Sequence, residues 1–289
     1  GLLYTNPRPK KEFINKFYSS KYSFHNKNNL FTKFIKSFLI KLVNKKIFYS
    51  FSFLFGEKLN RFFIKFLKPK INDPALQYIN NHKNISNFKF LDIGCGSGVT
   101  TNFWGTKSSI ISLSKTINVV GIEPSIQARG YLKDKNIDSY SSIREIPSDS
   151  KYNLIRLNWS LEHVHSPTKY FQFLNKHLYS DGLIIICVPN NDGLLYKINK
   201  NALELPIHLY HYDLNIMEKY CKKYKFLITE KISFSYPGMY CFAEEVGLIN
   251  QKYKFSKMNL KKAFYLMEWH KILDELGNGN DIILLIKKA

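Results

Sequence analysis

The rhythm of apolar and polar positions changes near residue 87. Before it, Phe and Lys interleave at helical spacing. Phe31, Phe34, Ile35, Phe38 and Leu42 share one face, with Lys33, Lys36, Ser37 and Asn44 opposite. A second stretch sets Leu59, Phe62, Phe63, Phe66 and Leu67 against Lys58, Arg61 and Lys65. Between them the run 48–55 is apolar and aromatic. An apolar helical stripe normally faces a core, so residues 1–86 read as a helical cap on a main domain spanning 87–289. The competing reading is a basic amphipathic segment lying peripherally on an anionic membrane surface.

After residue 87 short apolar runs alternate with helical patterns, which predicts an α/β fold with a parallel sheet and crossover helices. Strands are expected at 88–93, 118–122, 152–158, 183–188, 226–233 and 281–286. Helices are expected at 98–104, 125–135, 167–178 and 214–224, with a longer one over 260–276 that Asn259 would cap. No internal repeat is visible.

Composition narrows the classes. A hydrophobic fraction of 45% excludes a disordered chain. The formal charge of +21 invites a nucleic-acid partner, yet only five of the 43 basic residues are Arg, the side chain that grips phosphates and guanines bidentately. Lys, Asn, Ile, Phe and Tyr are enriched together and share AT-rich codons, so base composition explains the lysines without any nucleic acid. The four cysteines are scattered with no CxxC pair, which fits a reducing compartment. No apolar stretch reaches the ~18 residues of a membrane span, and the N-terminus lacks a signal-peptide pattern. A cytoplasmic chain is the expectation, and its start at Gly1 in place of Met is consistent with a fragment.

The chemistry concentrates where the strand ending at Asp92 runs into Gly94-Cys95-Gly96-Ser97-Gly98. Glycines tolerate positive φ and let a ligand touch backbone, and a helix starting at Gly98 would add free N–H groups and a dipole facing an anion. The next strand ends in Glu123, an acid placed to accept both ribose hydroxyls of an adenosine. A nicotinamide-dependent oxidoreductase shares these features, but its fingerprint needs glycine at the first, third and sixth positions. Counting from Gly94, the sixth position is Val99.

Leu91-Asp92-Ile93-Gly94-Cys95-Gly96-Ser97-Gly98, then Gly121-Ile122-Glu123-Pro124-Ser125, then Leu161-Glu162-His163-Val164 and finally Val188-Pro189-Asn190 together resemble the motifs of class I S-adenosylmethionine-dependent methyltransferases. The resemblance runs from about residue 4 to the C-terminus. It implies a Rossmann-like, mostly parallel seven-stranded sheet with helices on both faces. It also implies that S-adenosylmethionine lies against Asp92, Gly94, Cys95, Gly96, Gly98, Glu123, Pro124, Ser125, Ile143, Asn158 and Trp159. Near Ser142-Ile143 the usual acid for the adenine amine is missing. Tyr4-Thr5-Asn6-Pro7-Arg8-Pro9 and Pro206-Ile207-His208-Leu209 resemble segments of methyltransferases of sugar and cell-surface polysaccharide biosynthesis, with Ile207 in place of an Arg. In some of those a Cys-rich zinc ribbon precedes the lead-in, and it is expected to be absent or truncated here.

Methyl transfer requires the acceptor to be held in line with the sulfonium. A hydroxyl acceptor must also lose a proton, and His is the side chain suited to neutral pH. His208, in the crossover after the fifth strand, and His163, after the fourth, are the candidate catalytic residues for a small-molecule acceptor, expected to be a sugar or activated-sugar hydroxyl; a quinone-type acceptor is the alternative. Glu162-His163 also resembles part of the metal site of quinone-biosynthesis O-methyltransferases, where a second Glu lies three residues before the pair. That position is Trp159, so one carboxylate and one imidazole remain, too few for a divalent ion, and no metal is expected.

Overall fold

The computed structural model describes residues 1–10, 56–64, 71–82, 84–99, 106–198, 204–235 and 260–289, together with scattered positions between 13 and 67. Most of the first helical pattern, most of the aromatic run and Asn259 lie outside the described residues.

In chain order the elements are β1 (Leu3–Tyr4), α1 (Glu57–Ile64), α2 (Pro74–Asn81), β2 (Lys89–Ile93), α3 (Ile110–Leu113) and β3 (Asn118–Ile122). Then come α4 (Ile126–Lys133), β4 (Asp138–Tyr140), β5 (Tyr152–Asn158), α5 (Pro167–His177), β6 (Leu178–Pro189) and α6 (Leu194–Ile198). The chain closes with β7 (Tyr210–His211), α7 (Leu214–Lys223), β8 (Phe226–Phe234), α8 (Leu260–Glu275) and β9 (Asp281–Lys288). Seven strands form one sheet in the order β4-β3-β2-β5-β6-β9-β8. Pairing is parallel from β4 through β6, and β9 runs antiparallel to both β6 and β8.

Strands of a parallel sheet are buried on both faces and read as continuous apolar runs. Successive residues point to opposite sides. Leu91, Ile155, Leu157, Ile184 and Ile186 accordingly pack in one cluster with Phe171 and Leu174 of α5 and Ile216 and Met217 of α7. Phe90, Leu154, Ile185 and Cys187 pack in the other with Ala75 and Ile79 of α2, Ile110 of α3 and Leu132 of α4. Helices therefore cover both faces, as expected. Ser125 caps α4 and Asp213 caps α7, their side chains accepting from Ala128 N and Ile216 N.

Three expectations change. The stripe on α1 is rotated: Asn60, Ile64 and the following Leu67 are buried, Ile64 and Leu67 against Ala263 and Met267 of α8, whereas Leu59 and Phe62 are exposed. No helix begins at Gly98. Gly98 and Val99 are non-helical, 100–105 lie outside the described residues, and the next described α-helix is α3, capped by Ser109 through Ser112 N. Most of the helix expected over 98–104 thus lies outside the described residues. Finally, β6 starts at Leu178 and not at 183, because the strand runs on through Asp181-Gly182. A Cβ on Gly182 would stand 3.0 Å from Asn153 O, beside a register shift between Tyr152 and Leu154, so glycine serves close strand approach here and not a turn.

Asp92 and Arg156 are register partners on adjacent central strands, β2 and β5. Both are buried. Arg156 Nε and Nη2 donate to Asp92 Oδ1 and Oδ2 at 2.9 and 2.7 Å, while Nη1 donates to Ser108 O at 3.1 Å and Ser108 Oγ at 3.2 Å. The guanidinium also stacks 5.0 Å over the Phe90 ring. Removing one member of such a pair strands the other charge in a dry site. Arg156→Met is expected to cost about 3–5 kcal/mol, measured by urea denaturation, and a companion Asp92→Leu change should recover most of that loss.

Candidate active site

The strand order reverses at β2, whose neighbours β3 and β5 lie on either side. Ligands in open α/β sheets gather at such a switch point, beyond the carboxyl ends of the strands. The loop leaving β2 carries Gly94, Gly96 and Gly98 at φ +77, +55 and +78, values that L side chains rarely adopt. A Cβ on Gly94 would meet Ser160 Cβ at 2.5 Å. The loop is tied down by Gly94 N and Cys95 N, both donating to Ile122 O, and Ser160 Oγ donates to Ile93 O at 2.9 Å. Cys95 is buried beside Gly121, where its Sγ leaves no room for a Cβ; burial pushes its thiol well above the ordinary range.

Glu123, at the end of β3, is buried. Its Oε2 accepts from Gly96 N at 2.9 Å and its Oε1 from Ser125 N at 2.8 Å. Arg129 Nη1 donates to Glu123 O at 2.6 Å and Pro124 O at 2.7 Å, clamping the turn behind it. The carboxylate thus joins the glycine loop to the start of α4. Asp92, by contrast, has both carboxylate oxygens engaged by Arg156, so it anchors the strand end beneath the loop.

Asn158 ends β5 and Trp159 follows it. Asn158 Oδ1 is buried without a hydrogen-bond partner among the described residues, an acceptor left for a ligand donor. Trp159 has φ +47, donates its backbone N–H to Cys187 O and its Nε1–H to Asp281 Oδ1 at 2.7 Å. Ile143, in the loop after β4, packs partly buried against the first core cluster. Two residues on, Glu145 accepts from Ser141 N at 2.8 Å and from Ser141 Oγ; sequence reasoning passed over this acid in a stretch where one was thought missing.

The next turn brings the acid–base groups together. Glu162 is almost wholly inaccessible (1% exposed), and neither carboxylate oxygen has a hydrogen-bond partner among the described residues. Burial holds its pKa well above the usual carboxylate range. His163 Nδ1 donates to Ile207 O at 3.0 Å and its Nε2 stands 3.9 Å from Glu162 Oε1. The His208 ring meets it edge-on at 4.8 Å between centroids, with Nε2 3.5 Å from Glu204 Oε2. Burial lowers His163 to about 4 and His208 well below its usual value, so both imidazoles are neutral.

His208 is held by the N-terminal segment. Residues Leu3–Tyr4 pair antiparallel with Tyr210–His211, Thr5 Oγ1 donates to His208 O at 2.6 Å, and Arg8 Nη1 donates to Tyr210 OH at 2.7 Å. A small cavity lined by Pro189, Asn191, Tyr196, His208, Tyr210 and His211 opens beside it. The two-residue strands β1 and β7 were invisible in the sequence pattern, being too short for any period.

A family model for a methyltransferase domain matches residues 52–231. The ubiquinone biosynthesis O-methyltransferase of Rickettsia akari is 28% identical over 177 residues, 56% of this chain and 64% of that protein. The mitochondrial ubiquinone biosynthesis O-methyltransferase of Candida albicans is 27% identical over 164 residues, 53% of this chain and 48% of that protein. The chain thus spans about half to two thirds of the length of the curated relatives it matches. Among solved structures, an S-adenosylmethionine-dependent methyltransferase of Thermotoga maritima aligns over 90% of this chain and 96% of that one, with 12% identity and a TM-score of 0.48.

Asp281, buried at the start of β9, accepts from Trp159 and has Oδ2 unpartnered among the described residues. Burial raises its pKa from 3.8 to about 7. The folded state therefore holds this proton more tightly than the unfolded chain, and the stability present at acid pH erodes as pH rises from about 4 to 7. Asp281→Asn keeps an acceptor for the indole and removes the titration. Urea midpoints should fall less across that window in the variant than in the wild type, and the variant should be the more stable at mildly alkaline pH.

Proposed function

This chain belongs to the methyltransferase domain family, and from that premise we propose that it transfers the methyl group of S-adenosylmethionine to a hydroxyl group of a small acceptor. The observation that carries the proposal is the position of Glu162, His163 and His208, one turn beyond the Ser160 that buttresses Gly94 of the glycine loop. A hydroxyl needs its proton taken as the methyl arrives, and neutral imidazoles beside the donor site suit that task.

The residues present fit the methyl donor. Glycines at 94, 96 and 98 form a cradle that side chains would fill, Asn158 Oδ1 awaits a donor, and Glu123 can exchange its loop N–H groups for ribose hydroxyls. S-adenosylmethionine supplies the electrophilic methyl group. The protein's part is to hold both partners in line, keep water from the sulfonium, and take the acceptor proton on His163 or His208.

For the acceptor, a phenolic or quinol hydroxyl is favoured by the ubiquinone-biosynthesis relatives. A sugar hydroxyl is the second reading. Its support is that the segments around Tyr4–Arg8 and His208–His211 join each other through the β1–β7 pair beside His208.

We also propose that this enzyme works against an anionic membrane. On α8 Tyr265, Trp269 and Ile272, followed by Leu276, form one exposed stripe at helical spacing, and α1 exposes Lys58, Leu59 and Phe62. No helix among the described residues is long and apolar enough to cross a membrane.

Titration calorimetry with S-adenosylhomocysteine should show binding that Glu123→Ala weakens by at least about tenfold, since hydrogen bonds to a charged acceptor are each worth about 1.5–3 kcal/mol. Binding of NADH in its place would overturn the reading. Catechols should turn over faster than nucleotide sugars in an assay of S-adenosylhomocysteine release; the reverse order selects the sugar. In flotation, the chain should rise with phosphatidylserine vesicles and not with neutral ones, and Trp269→Ser should reduce the floated fraction; equal behaviour on both vesicles refutes membrane contact.

A further inference from the structure

We infer that Glu204 is a positioning residue for the transfer, its carboxylate fixing the His208 ring so that Nδ1, and not Nε2, takes the acceptor proton. The inference deepens the proposed hydroxyl methylation and rests on that reading for its chemistry. Glu204 stands in no sequence motif; the crossover after β6 brings it to the imidazole.

The first observation is geometric. Glu204 Oε2 lies 3.5 Å from His208 Nε2. The two residues are four apart in a tight turn, in which Ile207 N and His208 N both donate to Glu204 O at 3.1 and 3.2 Å. The exit of the turn is pinned from two sides. Thr5 Oγ1 donates to His208 O at 2.6 Å, and Leu209 N donates to Glu162 O at 2.8 Å. The ring therefore has a fixed backbone beneath it and one carboxylate at Nε2, a separation that tightens when charge develops on the ring.

The second observation is the backbone of Glu204 itself, at φ +47. L residues other than Asn and Asp seldom enter this region, and glycine would make the same turn with less strain. Strain of this kind clusters where a particular side chain serves the site. The chemistry available to this one is its carboxylate beside the imidazole.

The third is that His163 lacks an equivalent partner. Its Nδ1–H is committed to Ile207 O, and its Nε2 faces Glu162 Oε1 at 3.9 Å. The Glu162 side chain is 1% exposed, and burial holds it toward the neutral acid. Burial raises Glu204 as well, but its side chain is 39% exposed, so water supports its ionised form. An imidazolium at His208 thus has a counter-charge that one at His163 has not.

With Nε2–H directed at Glu204, the Nδ1 lone pair accepts the hydroxyl proton. The acceptor oxygen bonds to the methyl carbon as the carbon–sulfur bond breaks. The ring is left as an imidazolium against the carboxylate, and it returns the proton to water after the product leaves.

The test reads the ring directly. In the full chain labelled with ¹⁵N-histidine, long-range ¹H–¹⁵N correlation reports the tautomer of each imidazole, and His208→Gln assigns the signal. His208 should be the Nε2–H tautomer in the wild type and should lose that preference in Glu204→Gly. The same variant should raise the urea midpoint by relieving φ, opposite to the effect of deleting a structural contact. With catechol as acceptor, Glu204→Gln should lower kcat by at least about tenfold and leave KM within about twofold. S-adenosylhomocysteine affinity should be unchanged in both variants. An Nδ1–H ring in the wild type, a tautomer unmoved in Glu204→Gly, or an unchanged kcat in Glu204→Gln overturns the assignment. The ring signal needs no acceptor, so failure of the wild type to methylate catechols or sugars would count against the hydroxyl reading and leave Glu204 to be judged by the tautomer.

Discussion

A guanidinium buried between two central strands sets the conditions for everything around the switch point. Arg156 reaches from β5 to both oxygens of Asp92 on β2 and to Ser108 ahead of α3. It thereby joins three segments that enclose the glycine loop. Water is excluded, so the attraction is little screened, but each charge is costly without the other. The loop borrows its rigidity from this pair. Gly94 and Gly96, without a Cβ, hold positive φ above this strand end, and Ser160 closes on Gly94 from the turn after β5.

Much of the sheet was legible because its strands are apolar over their full length and interrupted at their ends. The spans 118–122 and 152–158 coincide with β3 and β5. The edge strand Asp138–Tyr140 was not legible, since it has no buried position and therefore no periodic signal. Arg156 carried no local mark either: one Arg inside Leu154-Ile155-Arg156-Leu157 looks like an interruption until the fold supplies Asp92. The α1 stripe was misplaced for a related reason. Phe and Leu are so frequent there that several faces look apolar, and only α8 decides which of them is covered.

The site divides in the same way. The glycines and Glu123 lie in contiguous motifs at strand ends, where residue order is enough to read them. The cluster of Glu162, His163 and His208 depends on a crossover returning over the turn after β5, an event stabilised by non-local bonds such as Thr5 to His208 O and Leu209 N to Glu162 O. A signal did exist in Ser160-Leu161-Glu162-His163, an acid beside an imidazole in the turn after β5. What it lacked was the partner.

Cys95 gives the loop a built-in clock. Its sulfur is buried against Gly121 and its thiol is held protonated by burial, so an alkylating reagent can reach a reactive thiolate only when the loop lifts from β3. The labelling rate at this one cysteine therefore counts opening events, which differ in free energy from global unfolding. A ligand that closes over the loop would slow the count in proportion to its occupancy, turning a packing detail into a measure of how often the donor site breathes.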